Sequence, residues 1–211
     1  MGNNCGCGDV KFDGMSAGFK RALYIVIAIN AIMFFIELPM GFIGQSQALK
    51  ADALDFFADT LTYSISLIVI GRALSIRSKA AYFKGLSLLV MGAWIFGGTI
   101  YRIFYVQEPS APIMGSIAFA ALGANLISVM LLIKYKDGDA NVRSVWLCSR
   151  NDALNNIAVI IAAGVVWQFN TPWPDLIVAF VMAGLFLSGA FSIIKQARQE
   201  MAHGLEVQPT E

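Results

Sequence analysis

Charge is what this chain has least of. Asp, Glu, Lys and Arg make up 14% of its 211 residues, where a soluble domain carries roughly a quarter. Histidine is nearly missing, and the only one, His203, falls in the C-terminal segment. A histidine-based core site or a histidine proton relay is therefore excluded. Three cysteines, Cys5, Cys7 and Cys148, make no disulfide framework, and reduced thiols are expected. Residues 1–9 are polar and glycine-rich with no apolar run, so a cleaved secretory signal is not expected. A net charge of +1 argues against a nucleic-acid partner. There is no evident nucleophile–base pair, so neither an enzyme nor a resident cofactor is expected.

What the chain has in abundance is apolar residues, 57% of the total, with a mean hydropathy of +0.66. These imply an integral all-α membrane protein with one domain. Six segments approach the ~20 residues a helix needs to span the hydrocarbon core: 19–43, 49–74, 81–106, 112–134, 142–168 and 173–197. The second and fifth contain acids and are weak by hydropathy. The expected organisation is an N-terminal tail (1–17) with Cys5-Gly6-Cys7, a six-helix transmembrane domain (18–198) and a short tail (199–211). Lysine and arginine divide 13 to 2 between the two sides, with Lys50 and Arg102 the minority. The positive-inside rule then puts both termini in the cytoplasm.

Ionisable groups inside a bilayer are expensive and usually functional. The second span begins Ser46-Gln47-Ala48-Leu49-Lys50-Ala51-Asp52-Ala53-Leu54-Asp55-Phe56-Phe57-Ala58-Asp59. Asp55 and Asp59 are four apart, so a helix places them on one face, about 6 Å apart along its axis. Two such acids persist in a dry setting only when a cation or protons neutralise them, which is how half of a divalent-metal site would look. Asp52 is either a neighbour of that pair or an acid solvated at the helix end. The fifth span carries Asp152, with Cys148 at i−4 and Asn156 at i+4 on the same face. Cys148 is either a ligand or a small buried hydrophobe. Asp152 is either a ligand or a partner of Arg150 or Arg143. Glu37, ahead of Pro39 and Gly41, is expected near the outer surface, where water solvates it. Asn125 either bonds between helices or lines a cation path. Gly97, Gly98, Gly184 and Gly189 are expected to permit close helix packing. Asp52-Ala53-Leu54 and Asp152-Ala153-Leu154 suggest a loose pseudo-repeat of the second and fifth spans.

The motif built from Ser46, Ala48, Leu49, Ala51, Asp52, Ala53, Asp55 and Asp59 resembles the second-span signature of the cation diffusion facilitators. Asp152 falls on the aspartate of that family's fifth-span His-x-x-x-Asp, and Cys148 stands in the histidine position, a departure. Tyr82-Phe83-Lys84-Gly85, Asn125 and Trp173-Pro174-Asp175 also look like the family, and the likeness covers about residues 18–198. The resemblance implies a homodimeric exporter of Zn²⁺ or a similar divalent ion such as Cd²⁺, driven by proton exchange through alternating access. It also implies that the first, second, fourth and fifth helices surround the metal while the third and sixth pair beside them. The family's usual cytoplasmic metal-binding and dimerising domain has no counterpart here, so dimerisation is expected through membrane helices.

The expected activity is divalent cation efflux with Asp55, Asp59 and Asp152 as metal ligands and Cys148 as the fourth. Carboxylates favour harder ions such as Mn²⁺ or Fe²⁺, while a thiolate favours Zn²⁺ or Cd²⁺; Zn²⁺ is expected, chiefly from the resemblance. A cation channel with the acids as a selectivity ring and a membrane metal sensor are the alternatives.

Overall fold

In a computed structural model, residues 16–69, 74–105, 108–135 and 140–206 are described. Cys5, Cys7 and the connection 136–139 lie outside them. Six α-helices run through the described residues: α1 (Ala17–Ile43), α2 (Gln47–Val69), α3 (Leu74–Phe104), α4 (Ala111–Leu132), α5 (Ala140–Phe169) and α6 (Trp173–Glu206). A single 3₁₀ turn, Ile133–Tyr135, continues α4. A helix lies in each of the six expected spans over the described residues, and α6 runs on to Glu206, beyond the expected end at 197.

Local chemistry sets the helix ends. Ser16 caps α1, its Oγ accepting the Phe19 N–H at 3.2 Å, and Gly44 closes it, its N–H donating to the Met40 carbonyl at 2.7 Å. Pro39 sits inside α1, where neighbouring helices in a membrane bundle tolerate it. Between α1 and α2 the chain turns through Gln45, a non-glycine residue in the left-handed region (φ 55°). Arg102 of α3 holds that turn, donating to the Gln45 carbonyl and, at 2.9 Å, to its side-chain Oε1. Asn170 makes the corresponding left-handed turn after α5 (φ 46°), its N–H donating to the Val166 carbonyl at 2.9 Å.

Among the described residues, five helices are long and apolar enough to cross a membrane. The exception is α2, which carries Lys50, Asp52, Asp55 and Asp59. Its position explains how it can afford them: α2 packs against each of the other five helices and contributes to all four apolar clusters of the core. The outward faces of the bundle instead carry large apolar side chains such as Phe35, Phe104, Phe119 and Trp167. Such an inverted surface suits lipid, where apolar groups lose nothing by exposure.

The most extensive helix pair is α3 with α6; α4 with α5 and α1 with α2 follow. The expected pairing of the third and sixth helices is thus present. The glycines behind it differ from those expected. A Cβ on Gly85 would lie 2.7 Å from Ile194 Cγ1, and one on Gly92 would lie 3.0 Å from Leu187 Cγ. Gly97, Gly184 and Gly189 would meet nothing within 4 Å, and Gly98 only the Gln47 side chain at 3.5 Å. Gly85 and Gly92 are therefore the residues that let α3 approach α6.

A candidate metal cavity between α2, α3, α5 and α6

One helical turn separates Asp55 from Asp59 on α2, and one turn separates Cys148 from Asp152 on α5. All four line a single cavity of about 440 Å³. Asp152 and Asn155 stand against the Asp55 carboxyl, and Asp152 and Tyr63 against that of Asp59. The three aspartates are half-buried, and Cys148 is exposed to the cavity. Among the described residues no three carboxyl, thiol or imidazole groups are clustered closely enough to hold an ion as they stand. The candidate ligands line one space without converging on one point. Adjacent carboxylates with no cation between them repel, which favours such a spread.

The walls of the cavity differ in part from the expected set. Alongside α2 and α5 they include Lys84 and Leu88 of α3 and Met182, Leu185, Phe186 and Gly189 of α6. The cavity therefore lies where the α3–α6 pair meets the other helices, in the half of the bundle nearer the start of α1 and the end of α6. Asn151 and Asn155 also line it. Asn156 does not: it is fully buried, and its Nδ2 donates to the Asp152 carbonyl of its own helix at 2.8 Å. Arg150 lies over the Trp146 ring, 5.4 Å from its centroid, and donates to Asn151. Among the described residues it makes no ion pair with Asp152; the Arg143 side chain is not among them.

Behind the cavity a narrow slit is lined by Asp52, Asp55, Phe56, Asp59, Asn125 and Asp152. Asn125, one of two open alternatives in the sequence, is thus placed beside the acids. Asp52 is 1% exposed, so it is not a solvated helix-end acid. Glu37 corrects an expectation more sharply. It is not at a wetted surface but fully buried, facing Asp52, with neither carboxyl oxygen hydrogen-bonded. Pro39 and Gly41 suggested proximity to the helix end, yet the α1–α2 packing covers that face of α1.

At the opposite end of the bundle the helices are tied together. Asp175, in the first turn of α6, accepts hydrogen bonds from Ser46 Oγ at 2.5 Å and from the Gln47 and Ala48 backbone N–H groups at 2.8 and 3.1 Å. Ser46 Oγ in turn accepts the Leu49 N–H at 3.0 Å. A carboxylate and a hydroxyl together satisfy the orphan donors at the start of α2 and complement its dipole. Gln47 Nε2 reaches the Gly98 carbonyl of α3 at 3.4 Å, and Lys50 Nζ lies 4.5 Å from the centre of the Phe42 ring. Ser46, the first residue of the second-span motif, is therefore a helix cap, and the Asp175 of Trp173-Pro174-Asp175 is what binds it.

The family model of the cation efflux transmembrane domain matches residues 23–202. The chain belongs to the cation efflux family. Among its relatives, the zinc transporter ZitB of Pectobacterium atrosepticum is 27% identical over 89% of this chain and 63% of its own length. The metal cation efflux system protein CzcD of Cupriavidus metallidurans is 26% identical over 89% and 63%. The cadmium, cobalt and zinc/H(+)-K(+) antiporter of Bacillus velezensis is 24% identical over 88% and 64%. The chain spans a little under two thirds of the length of these relatives. Cation efflux proteins are membrane transporters, and with its apolar helices and bacterial relatives this one is a multi-pass protein of the bacterial cell membrane.

Proposed function

We propose that the chain exports a divalent metal cation, Zn²⁺ first and Cd²⁺ or a similar ion after it, in exchange for protons by alternating access. The observation that carries this reading is the shared cavity: Asp55, Asp59, Cys148 and Asp152 come from two helices and line one space inside a membrane bundle. A divalent ion entering there draws the three carboxylates and the thiolate in as ligands. The names of the relatives, which specify zinc, cadmium and cobalt, support the class of ion.

Ligands must be deprotonated to bind metal, so loading releases protons and reprotonation favours unloading. The cavity lies toward the end where α1 starts and α6 finishes, while Asp175 ties the other end shut. With both termini in the cytoplasm, as the lysine and arginine distribution indicates, this geometry is inward-facing. Metal then loads from the cytoplasm, and parting of the Asp175–Ser46 contacts accompanies opening outward. A homodimer completes the proposal, on the strength of the family resemblance.

Metal uptake into proteoliposomes across an imposed pH gradient tests this. We expect Zn²⁺ and Cd²⁺ flux that rises with the gradient and acidifies the side from which metal is taken. Flux indifferent to the gradient would favour a channel, and no flux of any divalent ion would favour a sensor.

A further inference from the structure

Among the described residues, one cationic side chain lines the cavity with the four candidate ligands: Lys84, on the N-terminal half of α3. It is half-buried, and the groups whose charge it senses are Asp59 of α2 and Cys148 of α5. Asp55 and Asp152 complete the ionisable lining from those two helices. The lining from α6 (Met182, Leu185, Phe186 and Gly189) is uncharged. Metal loading brings two positive charges into the same space. Lys84 is not a ligand, because an ammonium has three donors and no lone pair to give. It is a compact charge on a flexible four-carbon stem, able to approach Asp59 when the ion is gone and to withdraw when it arrives.

We propose that Lys84 is a tethered competitor of the transported metal, a built-in cation that weakens the loaded state and hastens release. This rests on the metal-site reading above and adds a specificity- and rate-setting residue to it. A cation held beside three carboxylates and a thiolate offsets part of their attraction for a divalent ion. Transport needs binding strong enough to capture and weak enough to release, the same compromise that conduction imposes on channel sites. Two charges repelled by a third at several ångströms in a partly dry cavity correspond to about a tenfold change in affinity, and more at low salt.

The test pairs equilibrium Zn²⁺ binding, by calorimetry on the purified chain in nanodiscs, with flux in proteoliposomes. Lys84→Met keeps an unbranched stem of similar length and removes the charge. We expect its Kd for Zn²⁺ to fall about tenfold while the maximal flux also falls, with Lys84→Arg close to wild type in both. Lys84→Gln is measured in parallel, so that a folding defect in one neutral variant does not decide the matter. An unchanged or weakened affinity in the folded neutral variants would overturn the proposal and leave Lys84 a packing or interfacial residue. Asp59→Ala serves as the reference. If it abolishes binding while Lys84→Met changes nothing, the competitor idea alone fails; if Asp59→Ala binds normally, the site itself is wrong.

Discussion

Cys148 and Asp175 represent two kinds of residue in this chain, one facing the cavity and one holding the helices that form it. At Cys148 the thiol lines the cavity one turn from Asp152. If its sulfur binds the ion, Cys148→Ser should weaken Cd²⁺ by tenfold or more while shifting Mn²⁺ little, because thiolate selects soft ions. Equal shifts for the two metals would remove Cys148 from the ligand set. Asp175 accepts three hydrogen bonds at the start of α2, two of them from backbone donors with no helical partner. Asp175→Asn keeps the size but loses the charge and an acceptor, and should cost about 2 kcal/mol of stability, seen as a lower unfolding temperature in detergent. An unchanged unfolding temperature would mean that the network contributes nothing net. Legibility at this scale was uneven. The acids of α2 and α5 were visible because a carboxylate in an apolar run is conspicuous. Tyr63 and Asn155 were not singled out, although Tyr63 lies one turn from Asp59 on α2, because an aromatic or an amide in a span has no local mark. Lys84 was noticed only within a family-like run, and it takes tertiary packing to bring it from α3 to the cavity beside Asp59. Glu37 was visible but misplaced, since its burial depends on α2 covering it.

Among the elements, α2 is the one on which the bundle depends. Its polar residues are affordable because the part of α2 that carries them, residues 47–59, is packed against the other helices, and no sliding measure of hydropathy sees that. The alternation of apolar spans and short turns was enough to locate all six helices, while the contacts between them were less legible. Glycines in spans are common, and which of them allow close approach depends on what stands opposite. Gly85 faces Ile193 and Ile194, and a Cβ there would also lie 3.3 Å from the Ile194 backbone nitrogen, which cannot move aside without α6. Gly85→Ala should therefore cost about 1–3 kcal/mol by overpacking. Gly184→Ala, with nothing within 4 Å, should be neutral or stabilise by up to about 1 kcal/mol through helix propensity. Thermal unfolding of the two variants side by side checks this. Equal effects would show that α3 and α6 are not in close contact at Gly85.

For the whole molecule, the arrangement is a bundle with an acid-lined cavity toward the end where α1 starts and α6 finishes and a hydrogen-bonded clasp at the other. The second-span motif contributes to both: Ser46 and the backbone of Gln47 and Ala48 to the clasp, Asp55 and Asp59 to the cavity, with Asp52 between them in the slit. A motif written as one run in the sequence thus joins the two ends that open in turn in the proposed alternating access. The most direct check of the account is equilibrium binding of Zn²⁺, by dialysis against the free ion, to the wild-type chain and to folded Asp59→Ala. We predict saturable binding in the wild type that weakens as pH falls, because the carboxylates and thiol must give up protons to ligate. In Asp59→Ala we predict affinity lower by at least about a hundredfold, on the order of 3 kcal/mol for a lost charged ligand. Wild-type affinity in Asp59→Ala would contradict the account and move the metal away from this cavity.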